Sequence, residues 1–393
     1  PPADDEWAAP AGREAAMTWI ALKMLTGDRA KFFGIVFGVT FAALLIAQQS
    51  SIFCGLMLMT TGQIRDIQGA DLWIMDPRVE FIDDIKPMSD NDLYRVRSVP
   101  GIDWAVRLYK GLARARMATG NFQQGILLGL GDATMVGAPL ELIRGTLADL
   151  RRPDAFIIDE RGYRELWKNE PLEVGKVIEM NDRRAVLVGI CMASRTFQTF
   201  PVVYTRYSQA VRFAPPERKV LSFILAKAAP GQTLDELCAR IKASTGLLAK
   251  TNTEFTWMTI QYYLERTGIP INFGITVVLG FLVGTAIAGQ TFYLFTIENL
   301  KQFGSLKAMG VTNLRLVGMV LFQALVVGAL GYCLGIGLAA AFGESTKSAD
   351  KLGWFMPWHV FFGTGVAVVV IVLLSSLLSM RRVLLLEPAM VFR

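Results

Sequence analysis

Four long stretches without a charged residue constrain this chain more than any other feature. They cover residues 32–59, 271–297, 316–342 and 360–380. A helix needs about 20 consecutive, mostly apolar residues to cross the hydrocarbon core of a bilayer. Each stretch reaches that length, so we predict four transmembrane helices at these positions. The mean hydropathy of +0.39, with 19% charged residues, leaves room for a water-exposed part as well.

The water-exposed part lies almost entirely between the first and second apolar stretches. Residues 60–270 have a mixed composition and are numerous enough to bury a hydrophobic core of their own. The other intervals, residues 298–315 and 343–359, are short. The expected organisation is therefore one helix, a large domain, and three clustered helices.

Basic residues near the membrane ends predict the orientation, because short cytoplasmic loops are enriched in Lys and Arg. They flank the first stretch, fill the interval after the second and follow the fourth: Lys23, Arg29, Lys31, Lys301, Lys307, Arg315, Arg381, Arg382 and Arg393. The charges between the third and fourth stretches cancel. We expect the N-terminal segment 1–31 and the tail 381–393 on the cytoplasmic side of the membrane, and the large domain on the outer side. The first stretch is too long for a cleavable signal peptide.

The large domain combines strand and helix patterns. Ser89 precedes a short amphipathic segment as a helix cap, residues 102–117 and 122–130 alternate like paired strands, and Thr233 opens a further helix to Thr245. Residues 133–213 are rich in β signals, with Asn181-Asp182 as the turn of a hairpin. We predict a bilobed α+β domain inserted between the first two helices of a four-helix membrane protein, with a β-rich subdomain at about 133–213.

The segment before the first stretch alternates apolar and polar residues at helical spacing. Residues 17–25 include Trp19, Ile20, Leu22 and Leu25, with Lys23 among them. Two interpretations fit equally well: a short amphipathic helix on the inner membrane surface, or a helical extension of the first transmembrane helix.

Residue types that carry catalysis are sparse. His359 is the single histidine, which excludes a histidine cluster for a metal and a histidine-based triad. The pairs Asp83-Asp84 and Asp159-Glu160 are interpreted as solvated loop charges. Only Cys191 and Cys238 lie outside the apolar stretches, and the apolar run before Cys191 favours a strand core over a disulfide. We expect a protein without catalytic or metal-binding residues.

Small and polar residues inside the apolar stretches suggest helix packing. Gly280, Gly284 and Ala288 form a row that is either a dimer interface or a packing site within one protomer. The glutamines Gln48, Gln49, Gln290 and Gln323 are interpreted as interhelical hydrogen-bonding groups.

The interval between the second and third stretches carries the functional hypothesis. Leu300, Phe303, Leu306 and Met309 recur every third residue, which we interpret as the apolar stripe of a short helix, and Gly310 is expected to end it. A short bent helix at the inner membrane surface is suited to dock into a groove on a soluble partner.

This interval resembles a known family. Residues 298–310 match a pattern E-x-x-x-x-x-G-x-L-K-A-x-G that follows the second helix of FtsX/MacB-type ABC transporter permeases, and residues 385–393 resemble their Pro-containing C-terminal tail. The segments 298–301 and 306–310 are most similar to the DevC-like permeases. The match in topology covers nearly the whole chain, and the motif covers about 25 residues.

The resemblance implies a non-catalytic permease that dimerises, binds two copies of a separate ATPase, and transmits motion rather than forming a pore. The ATPase-coupling residues would be Glu298, Lys301, Gln302, Phe303, Gly304, Leu306, Lys307, Ala308, Met309 and Gly310. No phosphate-binding loop G-x-x-x-x-G-K-[ST] occurs in the sequence, so ATP and Mg are expected in the partner ATPase, with no cofactor bound directly. A periplasmic adaptor, an outer-membrane duct and a lipid, glycolipid or other amphiphile as cargo are typical of such systems.

Two other functions also fit the sequence. The chain could extract lipoproteins from the membrane without an adaptor. It could also regulate a cell-wall hydrolase or sense an antibiotic without moving cargo. Net charge does not favour nucleic acid as a partner, because many of the basic residues behind the +6 are the flanks of the apolar stretches.

Overall fold

The computed structural model describes residues 10–117, 120–168, 170–215, 220–348 and 352–384. The chain divides into two compact units. One contains the chain up to Leu56 together with everything from Gly268 onward, and the other contains Met57–Thr267.

Within the described residues, the first unit is built from helices and the second from strands and helices. In chain order, the helices are α1 (Pro10–Gly27), α2 (Arg29–Thr60), α3 (Gly62–Asp66), α4 (Asp90–Arg97), α5 (Glu160–Leu166), α6 (Tyr207–Phe213), α7 (Leu234–Thr245), α8 (Asn252–Arg266), α9 (Ile269–Glu298), α10 (Leu300–Ala308), α11 (Asn313–Ser348) and α12 (Trp358–Leu384). The strands are β1 (Leu72–Met75), β2 (Ile102–Arg116), β3 (Phe122–Leu130), β4 (Glu141–Arg144), β5 (Ala155–Asp159), β6 (Val177–Met180), β7 (Arg183–Met192), β8 (Val202–Arg206), β9 (Phe223–Ala228) and β10 (Leu248–Thr251). A short 3-10 helix spans Leu147–Arg151.

Four helices in the described residues are long and apolar enough to cross a membrane. They are α2, α9, most of α11 and the greater part of α12. They flank the α/β domain as the sequence predicts, one before it and three after it. The prediction of a four-helix membrane protein with an inserted α+β domain is confirmed.

Small residues let α2 pack closely against two other helices. A Cβ added to Gly284 of α9 would lie 2.2 Å from the Cβ of Ala42, and one added to Gly335 of α11 would lie 2.5 Å from the Cβ of Ala43. Gly280 likewise faces Leu45 of α2. Backbones at this distance gain dispersion contacts that lipid cannot supply. The Gly280–Gly284–Ala288 row thus packs within one chain, which favours the second of the two interpretations, and its role as a dimer interface stays a prediction.

The N-terminal segment forms a helix of its own. A break at Asp28 separates α1 from α2, so the amphipathic segment is distinct from the transmembrane helix. Ala21 and Leu25 are buried, whereas Trp19 is largely exposed. The amide Nε2 of Gln323 in α11 donates to the carbonyl of Ala21 at 2.7 Å. At this glutamine the predicted interhelical hydrogen bond is present.

One ten-stranded mixed sheet organises the domain. Its order is β10-β1-β9-β2-β3-β8-β5-β7-β4, with β6 pairing β2 and β7. Most neighbours are antiparallel, but β3 pairs β8 and β5 pairs β7 in parallel. The β-rich part of the sequence is therefore continuous with the rest of the domain through β8 and β6. Helices α4 to α7 pack on one face of the sheet, and α3 and α8 pack on the other.

Local turn and cap signals produce the expected elements. Met180 pairs with Arg183 across the hairpin turn, where Asn181 and Asp182 have φ values of +47° and +60°. Asn and Asp tolerate this left-handed region better than most residues, which explains why they occupy the turn. Ser89 caps α4, and its backbone N–H donates to Asp92 at 2.9 Å.

The interpretation of the acidic pairs as solvated charges is wrong for two of the four residues. Asp159 is buried at the end of β5, where it accepts a hydrogen bond from the backbone N–H of Val202 at 2.8 Å. Asp83 forms an ion pair with the buried ammonium of Lys110 in β2. Both carboxylates find partners that are distant in sequence, so nothing beside them in the chain signals their burial.

All four cysteines are free. Cys191 is buried in β7, as the apolar run before it predicts. Burial raises the pKa of its thiol, which keeps it protonated and unreactive.

Candidate coupling site

The candidate site is the segment that connects α9 to α11, with α10 at its centre. Asn299 ends α9, and its side-chain Nδ2 donates to the carbonyl of Phe295 at 2.8 Å. Gly310 follows α10 with φ +90°, a conformation that favours glycine, and the N–H of Val311 returns to the carbonyl of Leu306 at 3.1 Å. The predicted helix and its glycine stop are both present.

One face of α10 is anchored inside the helical unit. Phe303 is fully buried and Gly304 is buried beside it. Phe303 belongs to an apolar cluster with Ala21 of α1 and with residues of α11, namely Leu316, Met319 and Val320. Leu300 and Leu306 pack at the edge of the same cluster. These contacts hold α10 against α1 and α11.

The opposite face of α10 is free to meet a partner. Lys301, Gln302, Ser305, Ala308 and Met309 are exposed. Met309 is 73% exposed, one of the highest values for a large apolar side chain in the described residues. A small polar face with one protruding apolar side chain is suited to a groove on a second protein.

The predicted apolar stripe is wrong in one member. Leu300, Phe303 and Leu306 turn toward the cluster, but Met309 points away from it. Each residue of an α-helix advances by about 100°, so a spacing of three drifts by about 60° at every repeat. Over the three repeats that separate Leu300 from Met309 the drift reaches about 180°. Met309 consequently belongs to the exposed face.

An ion-pair network joins the start of this segment to the start of α2. The ammonium of Lys31 pairs with Glu298 at the end of α9 and with Asp28 at the α1–α2 break, 2.6 Å from the Asp28 carboxylate. The hydrogen bonds from Lys31 lower the pKa of Asp28 and keep it ionised. The carboxylates of Asp28 and Glu298 are exposed and Lys31 is half-buried, so the free-energy contribution of the network is small, but it fixes which helix ends are neighbours.

The structure sorts the ten predicted coupling residues into three groups. Exposed are Glu298, Lys301, Gln302, Ala308, Met309 and Gly310; half-buried are Leu306 and Lys307; buried are Phe303 and Gly304. The sequence did not identify Asp28, Lys31, Ala21 and Gln323 as neighbours of this site. A local signal was present in the sequence only for the ion pair of Asp28 and Lys31, whose opposite charges lie three positions apart. The other contacts join residues far apart in the chain. The tail 385–393 lies outside the described residues.

Two protein-family models match the chain. The MacB-like periplasmic core domain matches residues 32–244, more than half of the sequence, and the FtsX-like permease C-terminal domain matches residues 274–388. Two relatives from Mycobacterium tuberculosis, each described as an uncharacterized ABC transporter permease, are 29% identical over 118 residues. That match covers 30% of this chain and about a third of each relative, 33%.

Two solved structures resemble parts of the chain. The periplasmic region of MacB from Actinobacillus actinomycetemcomitans is 18% identical with a TM-score of 0.36, and the match covers 52% of this chain and 96% of that structure. The extracellular domain of the noncanonic ABC-type transporter YknZ from Gram-positive bacteria is 13% identical with a TM-score of 0.34. That match covers 46% of this chain and 98% of the YknZ structure.

Proposed function

Because this chain belongs to the family of FtsX-like and MacB-like ABC transporter permeases, we propose that it is the membrane subunit of an ATP-driven exporter that works by transmitting motion. An ABC transporter permease implies an ATPase partner. In this proposal the exposed face of α10 is the surface that the ATPase contacts. ATP and Mg bind to the ATPase, and this chain contributes no catalytic group.

The observation that carries the proposal is the two-sided character of α10. Phe303 anchors the helix to α1 and α11, while Met309 and Lys301 face outward. A force applied to the outer face therefore reaches two other helices through one packed side chain. The Lys31 network offers a second route, from the end of α9 to the start of α2.

The close packing of the helices supports a role in transmitting motion and argues against a cargo channel between the helices of one chain. Gly284 and Gly335 bring α9 and α11 into van der Waals contact with α2. Tightly packed helices move as connected bodies, because packed interiors transmit displacement rather than absorb it. The cargo is then moved by the domain between α2 and α9, and not through the helices of a single protomer.

The remaining parts of the proposed machine come from the family resemblance and the charge pattern. The permease works as a dimer with two ATPase copies, in the inner membrane of a bacterium, with both termini in the cytoplasm and the domain in the periplasm. A periplasmic adaptor and an outer-membrane duct complete the export path. The cargo is a lipid, glycolipid or other amphiphile.

The test is a substitution on the exposed face of α10. We expect Met309→Asp to abolish most of the ATPase stimulation by this chain, because a charged side chain in an apolar contact leaves a desolvated carboxylate without a partner. The measurement is ATP hydrolysis by the complex, purified through a tag on this chain and reconstituted in lipid vesicles.

Met192→Asp is the matched control. Met192 is also exposed, at 54%, but lies in β7 of the domain. Stimulation equal in the Met309→Asp variant and the wild-type protein would refute α10 as the contact surface. Accumulation of an amphiphile in a deletion strain would support the export function. Unchanged envelope lipids together with altered cell-wall hydrolysis would instead indicate a regulatory protein.

A further inference from the structure

Residues 193–200, termed the 193–200 segment, connect β7 to β8 and lie between the first and the last helix of the domain. We propose that this segment transmits movement of α3 to one wall of a cavity beside the sheet. The inference rests on the proposed function, because it requires ATP-driven motion to enter the domain through α3, the short helix that follows α2.

The first contact is a carboxylate clamp between α3 and the segment. Asp66, the last residue of α3, accepts hydrogen bonds from the backbone N–H of Ser194 at 2.7 Å and from its hydroxyl Oγ at 2.5 Å. Hydrogen bonds to an ionised carboxylate are roughly twice as strong as neutral ones. The end of α3 is thereby bound to the start of the segment.

A backbone contact stiffens the same joint. A Cβ added to Gly62, the first residue of α3, would lie 2.5 Å from the carbonyl oxygen of Arg195. Only glycine allows the two backbones to approach so closely. No flexible side chain separates them, so a displacement of α3 passes directly to the segment.

The other side of the segment contacts α8. The rings of Phe197 and Tyr263 have centroids 4.9 Å apart, and Tyr263 is buried. Tyr263 also meets the edge of Phe81, with centroids 5.7 Å apart. Since α8 is the last helix of the domain, the segment is held by the helices at both ends of the domain's chain.

The middle of the segment borders a cavity of about 480 Å³. Gln198 lines it together with Asp83 and Lys110. Lys110 is buried, and its ammonium donates to the carbonyl of Ile82 at 2.9 Å and to Asp83. A shift of the segment moves Gln198 and thereby changes one wall of a cavity that contains a buried ion pair.

The backbone of the segment is not in a relaxed conformation. Thr199 has φ +54°, a left-handed value that β-branched residues rarely adopt. Contacts on both sides must maintain such a conformation, and residues of this kind gather at elements that change shape. Release of one contact therefore allows the segment to relax.

A purely static role for the clamp is the competing explanation. The same chemistry occurs at Asp132, which accepts from the backbone N–H of Ser208 at 3.3 Å and from its hydroxyl at 2.5 Å. That bond is made in α6, outside the contacts of the 193–200 segment. Asp132→Ala is therefore a matched control for Asp66→Ala.

The experiment measures amide hydrogen exchange of residues 193–200 in the full complex with its ATPase, with and without ATP and orthovanadate. We expect the nucleotide to change protection of these amides by at least about fivefold in the wild-type protein, the lower end of usual coupling strengths. Asp66→Ala and Gly62→Ala should each remove most of this change. Asp132→Ala should preserve it, and all variants should keep the ATPase stimulation that depends on α10.

The outcomes separate the two proposals. Stimulated ATPase without any nucleotide-dependent change at residues 193–200 refutes transmission through the segment and leaves the proposed function intact. A response that persists in both Asp66→Ala and Gly62→Ala also refutes it. ATPase activity that is indifferent to this chain overturns the proposed function and the inference with it. Ser194→Ala, which removes only the hydroxyl contact, provides a milder variant should the others unfold.

Discussion

Asp159 directly precedes α5, and its carboxylate is almost completely shielded from solvent. Burial raises its pKa from 3.8 to about 6, although the backbone N–H groups of Val202 and Gly162 oppose the rise. As the pH increases, the unfolded chain ionises near pH 4, whereas the folded protein retains the proton until about pH 6. The stabilising contribution of this group is therefore complete below pH 4 and is lost between about pH 4 and 6.

We expect Asp159→Asn to flatten the pH dependence of stability. The side-chain oxygen of asparagine can accept the hydrogen bond from the backbone N–H of Val202, and asparagine does not ionise. Two pKa units correspond to about 3 kcal/mol. Between pH 4 and pH 7, the free energy of unfolding should therefore fall by roughly that much more in the wild-type protein than in the variant. Thermal unfolding of the detergent-solubilised chain across this range is the measurement.

Asp149→Asn is the control of opposite sign. The hydrogen bond from Thr146 lowers the pKa of Asp149, so its contribution is present above its ordinary pKa and lost as the pH falls. The folded state of this variant should be less stable than that of the wild-type protein at neutral pH, and the two should be equally stable in acid. Identical pH profiles for Asp159→Asn and the wild-type protein would contradict the assigned burial.

Single residues were the hardest level to predict from the sequence. Ser89 and Gly310 act through bonds to residues within four positions, and Asn181 acts through the left-handed backbone of its turn, so their roles were visible in the local pattern. Asp83 and Asp159 depend on Lys110 and Val202, which only the folded sheet brings near. The exposed position of Met309 was within reach, because helix geometry alone excludes a straight stripe at a spacing of three.

Among the elements, α2 has the central place in the helical unit. Its small residues Ala42 and Ala43 meet glycines of α9 and α11. The sequence predicted the helices because charge-free length is a local property. It could not show which helix each glycine faces, nor the parallel pairing of β3 with β8, because both depend on contacts between distant parts of the chain.

We expect Gly284→Val to destabilise the helical unit by about 1–3 kcal/mol, the usual cost of overpacking. The first added carbon would lie 2.2 Å from Ala42, and neither helix can move without losing other contacts. Gly274→Val is the matched control on the same helix, because nothing lies within 4 Å of its added Cβ. Equal melting temperatures of the two variants in detergent would show that α9 does not pack on α2 through this glycine.

On the scale of the whole molecule, the proposed orientation is open to direct measurement. We expect a cysteine at position 309 to react with a membrane-impermeant maleimide only after the inner membrane is opened. A cysteine at position 192 should react in spheroplasts, whose outer membrane is removed. The charge pattern around the four helices is the physical reason. Both variants are made with Cys54, Cys191, Cys238 and Cys333 replaced by alanine, and the reverse labelling pattern would invert the topology.

The continuous sheet has a mechanical consequence. Nine strands follow one another from β10 to β4 at a spacing of about 4.8 Å, so the two edges lie on the order of 40 Å apart. Bending this plate would distort its ladder hydrogen bonds, whereas turning it as a rigid body leaves them unchanged. Helices α3 and α8 touch each other, and α8 packs on the β10 edge. In the proposed function, a turn of about 10° around that edge would carry β4 through an arc of roughly 7 Å, and the domain would act as a lever arm that magnifies small helix displacements.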